Sequence, residues 1–443
     1  MIQKSGNKKI DLNESFAEAL ELIENTSMDV IITGSAGTGK STLIEYFRGV
    51  TKKNSVVLAP TGVAALNAGG MTIHSFFKFG PDITLEKVKK TRRKGRGIYG
   101  KIDVIIIDEI SMVRADLLDC VDRFLRLNGK KPEEPFGGVQ MVFVGDLYQL
   151  PPVVRTQGER EIFSGHYKSE YFFDSLVFSG IDYEIIELEK IYRQKDAGFI
   201  SMLNRIRSNT VTEADLAKVN ERLGHEFSDD DYGLTVCLTT TNKMAQSINS
   251  RRLEGISAPS RTLEAEIEGR CESKYFPTEA ALELKEGAQV MLLNNDPFGR
   301  WVNGTIGRVV EIMPRGEERI LVELPSGVED VSPYKWRVHR FVYNQAAKSI
   351  ETEESGYFRQ YPLRLAWAIT IHKSQGKTFN RVIIDTGRGT FAHGQMYVAL
   401  SRCTSLEGIF LRRRAERRHM SVDERVVEFL RGLRKDCPGA LLG

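Results

Sequence analysis

The chain has 443 residues, more than one hydrophobic core usually spans, so two or more domains are expected; 41% hydrophobic and 27% charged residues mark an ordinary globular composition. Lysine and arginine (62) exceed aspartate and glutamate (59) by only three, so global charge does not recruit a polyanion and any such surface has to be local. No apolar run approaches the ~20 residues that a membrane-crossing helix needs, so no such helix is expected.

The N-terminus, Met1 to Ile10, is polar and basic without an apolar centre, which argues against a secretory signal. Asp11 and Glu14 come too early for a transit peptide. A helical pattern over Ser15–Glu24 leads to a strand at Val30–Thr33. Then Gly34, Ser35, Ala36, Gly37, Thr38, Gly39, Lys40 and Ser41 read G-S-A-G-T-G-K-S, and Thr42, Leu43 and Ile44 can begin a helix. In this strand–loop–helix setting, G-x-x-x-x-G-K-[ST] is a phosphate cradle. Its glycines let backbone N–H groups face phosphate oxygens, and the helix N-terminus adds positive potential. Lys40 is placed to reach the β- and γ-phosphates, and the Ser41 hydroxyl to ligate Mg²⁺.

A second strand, Ser55–Ala59, runs into Ala59-Pro60-Thr61-Gly62-Val63-Ala64-Ala65 and then Thr72-Ile73-His74-Ser75-Phe76-Phe77. Short hydroxyls and backbone amides suit phosphate contacts, and rings suit base stacking, although core packing accounts equally well for Phe76 or Phe77. Eight basic residues, Lys87, Lys89, Lys90, Arg92, Arg93, Lys94, Arg96 and Lys101, follow among glycines. They read either as a solvated loop or as an element that binds nucleic-acid backbones.

The strand Val104–Ile107 ends in Asp108-Glu109. Paired with a phosphate loop, Asp108 suits Mg²⁺ and Glu109 suits accepting a proton from the attacking water. A helical pattern over Ala115–Leu127 precedes the strand Val139–Val144, which runs into Gly145-Asp146-Leu147-Tyr148-Gln149-Leu150-Pro151-Pro152. A neutral amide at Gln149 could sense the γ-phosphate. Arg193, in Ile191-Tyr192-Arg193-Gln194, and Arg402, in Ala399-Leu400-Ser401-Arg402-Cys403, each follow an apolar segment. From the sequence they are either salt-bridge arginines or phosphoryl-charge stabilisers supplied by a second domain.

Further α/β features appear at Leu234–Thr240, Arg381–Asp385 and Gly408–Arg412. Strands alternating with helices predict parallel sheets that bind ligands at strand carboxyl ends. Between Gly287 and Leu365, short β segments at Val290–Leu293, Thr305–Met313, Ile320–Leu324 and Trp336–Val342 alternate with turns, which suggests an inserted β-barrel. Ile371-His372-Lys373-Ser374-Gln375-Gly376 repeats the mixture of hydroxyl, amide, Lys and imidazole. The five cysteines are scattered without a C-x-x-C pair, which fits a reducing cytosol rather than zinc or disulfides. Cytoplasmic placement, beside the nucleoid in a prokaryote, is expected.

In order along the chain, GSAGTGKS, LAPTGVAALNAGGMTIHSFF, IIIDEISM, PFGGVQMVFVGDLYQLPPV, LEKIYRQ, VNGTIG, TIHKSQGKTF and YVALSRCTSLEGI together resemble the Pif (petite integration frequency) family of superfamily 1 DNA helicases. These pieces span Gly34 to Ile409, nearly the whole chain, and Met112–Phe136 looks like the family's signature element.

The resemblance implies an α/β fold with two RecA-like P-loop domains, residues 1–185 and 186–286 with 366–443. It places a small wedge insertion near 77–101 in the first domain and an SH3-like barrel at 287–365 in the second. ATP and Mg²⁺ would bind between the two, with Lys40, Ser41, Thr42, Asp108, Glu109, Gln149, Arg193 and Arg402 carrying the chemistry. Thr61, Gly62, His74, Phe76, Pro152, Thr241, His372, Lys373, Ser374 and Gln375 would contact DNA. The implied activity is ATP-dependent 5′-to-3′ translocation on single-stranded DNA and unwinding of 5′-tailed duplexes, G-quadruplexes or RNA–DNA hybrids. The alternative is a DNA-stimulated translocase that strips bound proteins. Either would act as a monomer alongside single-stranded-DNA-binding or replication proteins, in repair, replication or telomere maintenance. One feature departs from the superfamily pattern: the leader has no adenine-reading Gln between Gln3 and Lys40, and Phe16 stands about where it would be.

Overall fold

The computed structural model describes residues 13–436, apart from 81, 92–96, 155–162, 164, 195, 225–233, 270–272, 274, 275, 315, 388, 390 and 391, and the backbone of 2–5 and 8–11. The two N-terminal strands, β1 (Ile2–Ser5) and β2 (Lys8–Asp11), pair as a hairpin. The helix Glu14–Asn25 follows, its first turn closed by Asn13, whose side chain accepts from the Phe16 amide at 2.9 Å. Phe16, Ala19 and Ile23 fall on one face of that helix and are buried against Val30, Ile32, Leu43 and Phe47.

The first domain is a six-stranded parallel sheet: β3 (Asp29–Gly34), β4 (Ser55–Ala59), β5 (Met71–Thr72), β6 (Val104–Ile107), β7 (Gln140–Gly145) and β8 (Tyr183–Leu188). Its order is β5-β4-β6-β7-β3-β8. Central strands of such a sheet are covered on both faces, which is why Val30–Ile32 and Ile105–Ile107 are unbroken apolar runs. Because β6, β7 and β3 are neighbours, their carboxyl ends bring Asp108, Asp146 and the phosphate loop together. The domain boundary expected at residue 185 falls inside β8, so the first sheet continues to Leu188.

β9 (Val236–Thr239) begins the second domain, and the chain then leaves it for a β-rich insertion. β10 (Arg261–Glu264), β11 (Glu266–Gly269) and β12 (Ala281–Leu284) open that insertion, with β10 pairing β12. Five antiparallel strands follow in the order β16-β15-β14-β13-β19: β13 (Gln289–Leu292), β14 (Ile306–Ile312), β15 (Ile320–Leu324), β16 (Gly327–Val331) and β19 (Leu363–Leu365). Between β16 and β19, β17 (Tyr334–Asn344) and β18 (Ser349–Gln360) form a long hairpin that also pairs with β11. The insertion therefore begins near Arg261, not Gly287. Leu282 and Leu284 of β12 join the barrel core with Val290, Val322 and Leu363. Its early strands were missed because β10 and β11 are largely exposed and carry alternating charges instead of an apolar run.

β20 (Ala368–Thr370), β21 (Val382–Asp385) and β22 (Ile409–Leu411) complete a parallel sheet of order β20-β9-β21-β22. The basic excursion near 77–101 lies over an aromatic nest in which Tyr99 meets Phe124 edge-on at 4.8 Å and Phe77 meets it at 5.2 Å. Within it, Arg92, Arg93, Lys94 and Arg96 lie outside the described residues. The β17–β18 hairpin reaches back to this domain, where the Ile350 amide donates to Asn54 Oδ1 at 2.9 Å and Phe341 packs edge-on against Phe76.

Candidate functional site

The loop after β3 turns at Gly37 (φ +88°) and Gly39 (φ +93°). A side chain at Gly37 would also collide with Arg193 Cβ at 2.6 Å, so glycine is needed there for conformation and for close approach. The helix Lys40–Val50 starts directly behind the loop and aims its free N–H groups into it. Lys40 is folded back, donating from Nζ to the carbonyls of Gly34 (2.7 Å) and Ser35 (3.0 Å). Burial pushes its pKa down, while the carboxylates of Asp146, Glu109 and Asp108 oppose that shift. Ser41 and Thr42 are exposed at the rim.

A cavity of about 680 Å³ opens in front of the loop. Ala36, Gly37, Gly39, Lys40, Ser41 and Thr42 form one wall, and Glu109, Gln149, Arg193, Gly376, Thr378 and Arg402 form the others. Phe16 and Tyr192 line the same cavity, and both rings lie beside Gly39. The position where an amide was expected therefore presents the edge of a largely buried ring.

Asp108 ends β6, and its Oδ1 accepts from the Glu109 amide at 2.9 Å. Burial raises its pKa. Glu109 adopts left-handed backbone (φ 53°, ψ 45°), which is uncommon for a non-glycine residue and turns its carboxyl toward the cavity. It is still partly open to the cavity but crowded by protein elsewhere, and burial, then the neighbouring Asp108 charge, push its pKa up to about 7. A carboxylate poised near neutrality suits a general base.

Arg402 is 1% exposed. It directly follows the helix Gln395–Ser401 and donates to Val398 O (3.0 Å) and Ser401 Oγ (2.9 Å). Arg193 donates to Ser401 O at 3.3 Å, so the segment 191–194 spans from the phosphate loop to the Arg402 turn. Burial, then the nearby Arg402 charge, push the Arg193 pKa down to about 9. Burial also lowers that of Arg402. Among the described residues, neither guanidinium has a carboxylate within 4.0 Å. Two guanidiniums in one cavity lining, on which Glu109 and Asp146 act only at longer range, suit an anion. The salt-bridge alternative for these two arginines is thereby removed.

Gln149 is 8% exposed; its Nε2 donates to Asp146 Oδ2 at 3.1 Å, and its Oε1 accepts from Gln375 Nε2 at 3.3 Å. Gln375, expected at DNA, is thus drawn to the nucleotide side. A separate groove of about 610 Å³ crosses the top between the domains, lined by Pro151, Pro152, Phe163, Tyr167, Thr240, His372, His393 and Arg425. Its rings suit base stacking, while Arg425 is held there by Glu170 and Asp423, which line the same groove. Lys373 lines an adjoining cleft of about 470 Å³ with Asn242, Asn249 and Thr370. Burial lowers the pKa of both His372 and Lys373.

Thr61 and Thr241 each cap a helix, with their hydroxyls accepting from Ala64 N and Met244 N, and Gly62 lines a neighbouring cleft. His74 lies on the short helix Ile73–Phe77. Two expected DNA contacts are corrected by burial. Phe76 is 5% exposed and held by Phe77, Tyr99 and Phe341, so its ring is core. Ser374 is 0% exposed and donates into its own turn at Ile371 O. Gln194 had no role in the sequence reading, yet its Nε2 donates to both Ser401 O (3.0 Å) and Cys403 O (3.1 Å), tying its segment to the Arg402 loop. Its place beside Arg193 was the available signal. Among the described residues, no His/Cys/Asp/Glu cluster suits a metal by itself, and no helix is long and apolar enough to cross a membrane.

Comparison with known proteins gives concordant results. The family described as PIF1-like helicase matches residues 11–216. An ATP-dependent DNA helicase Pif1 from Bdellovibrio bacteriovorus is 34% identical over 91% of this chain and 88% of its own length. The human ATP-dependent DNA helicase PIF1 is also 34% identical, over 90% of this chain but only 60% of its own length, so the chain spans well under two thirds of that relative. The crystal structure of Bacteroides sp. Pif1 in complex with ADP-AlF4 superposes with a TM-score of 0.88 at 37% identity, covering 96% of this chain and 98% of that one. Bacteroides Pif1 bound to ssDNA, also 37% identical with the same coverage, superposes with a TM-score of 0.68.

Proposed function

The chain belongs to the PIF1-like helicase family, and from that premise we propose that it is an ATP-dependent DNA helicase translocating 5′ to 3′ on single-stranded DNA. The observation that carries this reading is the guanidinium pair of buried Arg402 and half-buried Arg193, with no carboxylate within 4.0 Å among the described residues, lining the same cavity as a phosphate loop. Such a cleft binds a triphosphate most tightly when closed, and closing it moves one parallel-sheet domain against the other.

In the proposed reaction Lys40 exchanges the Gly34 and Ser35 carbonyls for phosphate oxygens. Glu109 accepts the proton of the attacking water. Arg193 and Arg402 stabilise charge on the transferring phosphoryl group. The open Ser41 hydroxyl and the buried Asp108 carboxylate, next in sequence to cavity-lining Glu109, are the hard oxygen donors that would hold Mg²⁺, which would neutralise β- and γ-phosphate charge. The exposed Tyr192 ring, beside the edge of Phe16, is the aromatic surface available to the base. The overhead groove carries the strand, with Pro152, His372, Lys373, Thr61 and Thr241 along its course. One copy contains both walls of the nucleotide cavity, which supports action as a monomer. Work on DNA would place it at the nucleoid in a prokaryotic cell.

The decisive measurement compares matched 5′-tailed and 3′-tailed duplexes, with ATP and with a non-hydrolysable analogue. Opening of the 5′-tailed duplex alone, with ATP alone, is the expected result. Equal opening of both duplexes overturns the polarity, and an ATPase rate indifferent to single-stranded DNA overturns the reading as a whole.

A further inference from the structure

The helix Glu424–Asp436 lies against the first domain, where its Phe429 ring stacks on Phe173 at a centroid distance of 4.2 Å. That seat brings Arg425 to the wall of the groove between the domains, beside Glu170 and Asp423. The Arg425 guanidinium is gripped on two edges. On one, Nε donates to Asp423 Oδ1 at 2.9 Å and Nη2 to Oδ2 at 2.6 Å. On the other, Nη1 donates to Glu170 Oε2 at 3.1 Å and Nη2 to Oε1 at 3.4 Å. The two carboxylates are not equivalent. Asp423 is 6% exposed and also accepts from the Arg425 amide (Oδ1, 3.0 Å) and the Tyr171 hydroxyl (Oδ2, 3.2 Å). Burial works to raise its pKa, but the bonds from Arg425 outweigh that and hold it low. Glu170 is half-buried, and among the described residues its side chain hydrogen-bonds to Arg425 alone.

Resting on the helicase reading above, we propose that Glu170 occupies the seat of a backbone phosphate, covering one edge of Arg425 until a phosphodiester of the single strand displaces it. Either edge of a guanidinium offers two parallel N–H groups, and a carboxylate and a phosphate take them in the same way. Asp423 is the permanent partner, because it is buried and bonded on both oxygens. Its fork and the Tyr171 ring, 5.3 Å from the guanidinium carbon, keep Arg425 aimed when Glu170 leaves, so the exchange needs no reorientation of the cation. Nη1 has a second N–H, so a phosphate could touch Arg425 without displacing Glu170. It would then make one bond beside two carboxylates and one guanidinium, a group of formal charge −1. Taking the Nη1–Nη2 edge gives it two bonds and sends the Glu170 carboxylate into the open groove. A partly exposed ion pair contributes little, so the exchange is nearly balanced. The groove therefore holds a phosphate loosely at this point. A protein that steps along a strand has to release each phosphate in turn, and a resident carboxylate that retakes the guanidinium speeds that release.

The test is binding of a fluorescent oligothymidylate, long enough to span the groove, to the full chain over a series of salt concentrations. Wild type, Glu170→Gln, Arg425→Gln and the double variant are compared. In wild type a phosphate and Glu170 exchange places on one cation, so ion release at this point nearly cancels. Glu170→Gln leaves the Nη1–Nη2 edge open, and affinity at low salt should rise about fivefold. The plot of log affinity against log salt should also steepen by about 0.7, the release expected for one added phosphate contact on a single strand. Arg425→Gln should weaken binding, and in its background Glu170→Gln should alter neither affinity nor slope. A gain that persists without Arg425 would come from the lost negative charge alone and overturns the proposal. Unchanged affinity and slope in folded Glu170→Gln overturn it as well, since a merely structural ion pair shows only in the melting temperature. Glu170→Ser, with the same expected gain, stands in if Glu170→Gln does not fold. A wild type that binds no single strand removes the helicase reading itself, and this proposal with it.

Discussion

On the proposed function, Glu109 is the residue whose environment would most directly set a rate. Burial and the adjacent Asp108 charge lift its carboxyl up to about 7, so a substantial share is protonated at neutral pH. Only the ionised form can take a proton. The ATPase kcat/KM should therefore rise with pH through neutrality and level off above it, falling about tenfold per unit on the acid side. A flat profile between pH 5.5 and 8 would show that another group accepts the proton. Glu109→Gln should lower kcat by roughly 10²–10⁴ and abolish the acid limb. Because Lys40 and the arginine pair are untouched, nucleotide affinity in this variant should stay within a few fold.

Among the elements, the helix Gln395–Ser401 carries the most. It begins at Gly394 in left-handed backbone (φ +74°), with both Tyr148 O and Gln149 O inside normal contact distance of any Cβ placed there. Gly394→Ala would meet a backbone penalty of about 1–2 kcal/mol and would also push the helix off the Gln149 segment. The expected outcome is a folded protein whose hydrolysis responds to single-stranded DNA at least tenfold less than wild type. Normal DNA stimulation would show that the close approach is incidental.

This helix also shows where sequence is informative and where it stops. The strand ends bearing Lys40, Asp108 and Asp146 were legible because an apolar β-branched run followed by glycine or acid has few other meanings in an alternating α/β chain. Motif order then indicated a second domain. The buried state of Phe76 and Ser374 was not legible, since a ring or hydroxyl reads the same in a groove and in a core. The start of the barrel insertion was hidden as well. β10 and β11 carry charges on their exposed faces, and they are strands by virtue of their partners β12 and β18. The contact between Glu170 and Arg425 joins residues 255 positions apart, a relation with no local signature in the sequence.

Across the whole molecule, the two sheets face each other over a cavity whose second wall is electrostatically incomplete. Arg402 is buried with no carboxylate within 4.0 Å among the described residues, an arrangement that would cost stability in the nucleotide-free protein and, on the proposed function, would be offset by a bound triphosphate. The opposed signs make a test. Arg402→Met keeps most of the volume and removes the buried charge, so nucleotide-free protein should melt no lower than wild type. A non-hydrolysable ATP analogue at 100 times its Kd should stabilise wild type by about 2.7 kcal/mol, roughly 3 °C for a chain of this length unfolding as one unit. In Arg402→Met most of that shift should vanish, because the nucleotide then loses its most deeply held charged contact with the second domain. A variant that melts well below wild type yet keeps the full shift would mean that Arg402 serves the core and not the phosphate. The predicted pattern, stability retained and ligand stabilisation lost, separates a domain-closing contact from a packing residue without any measurement of turnover.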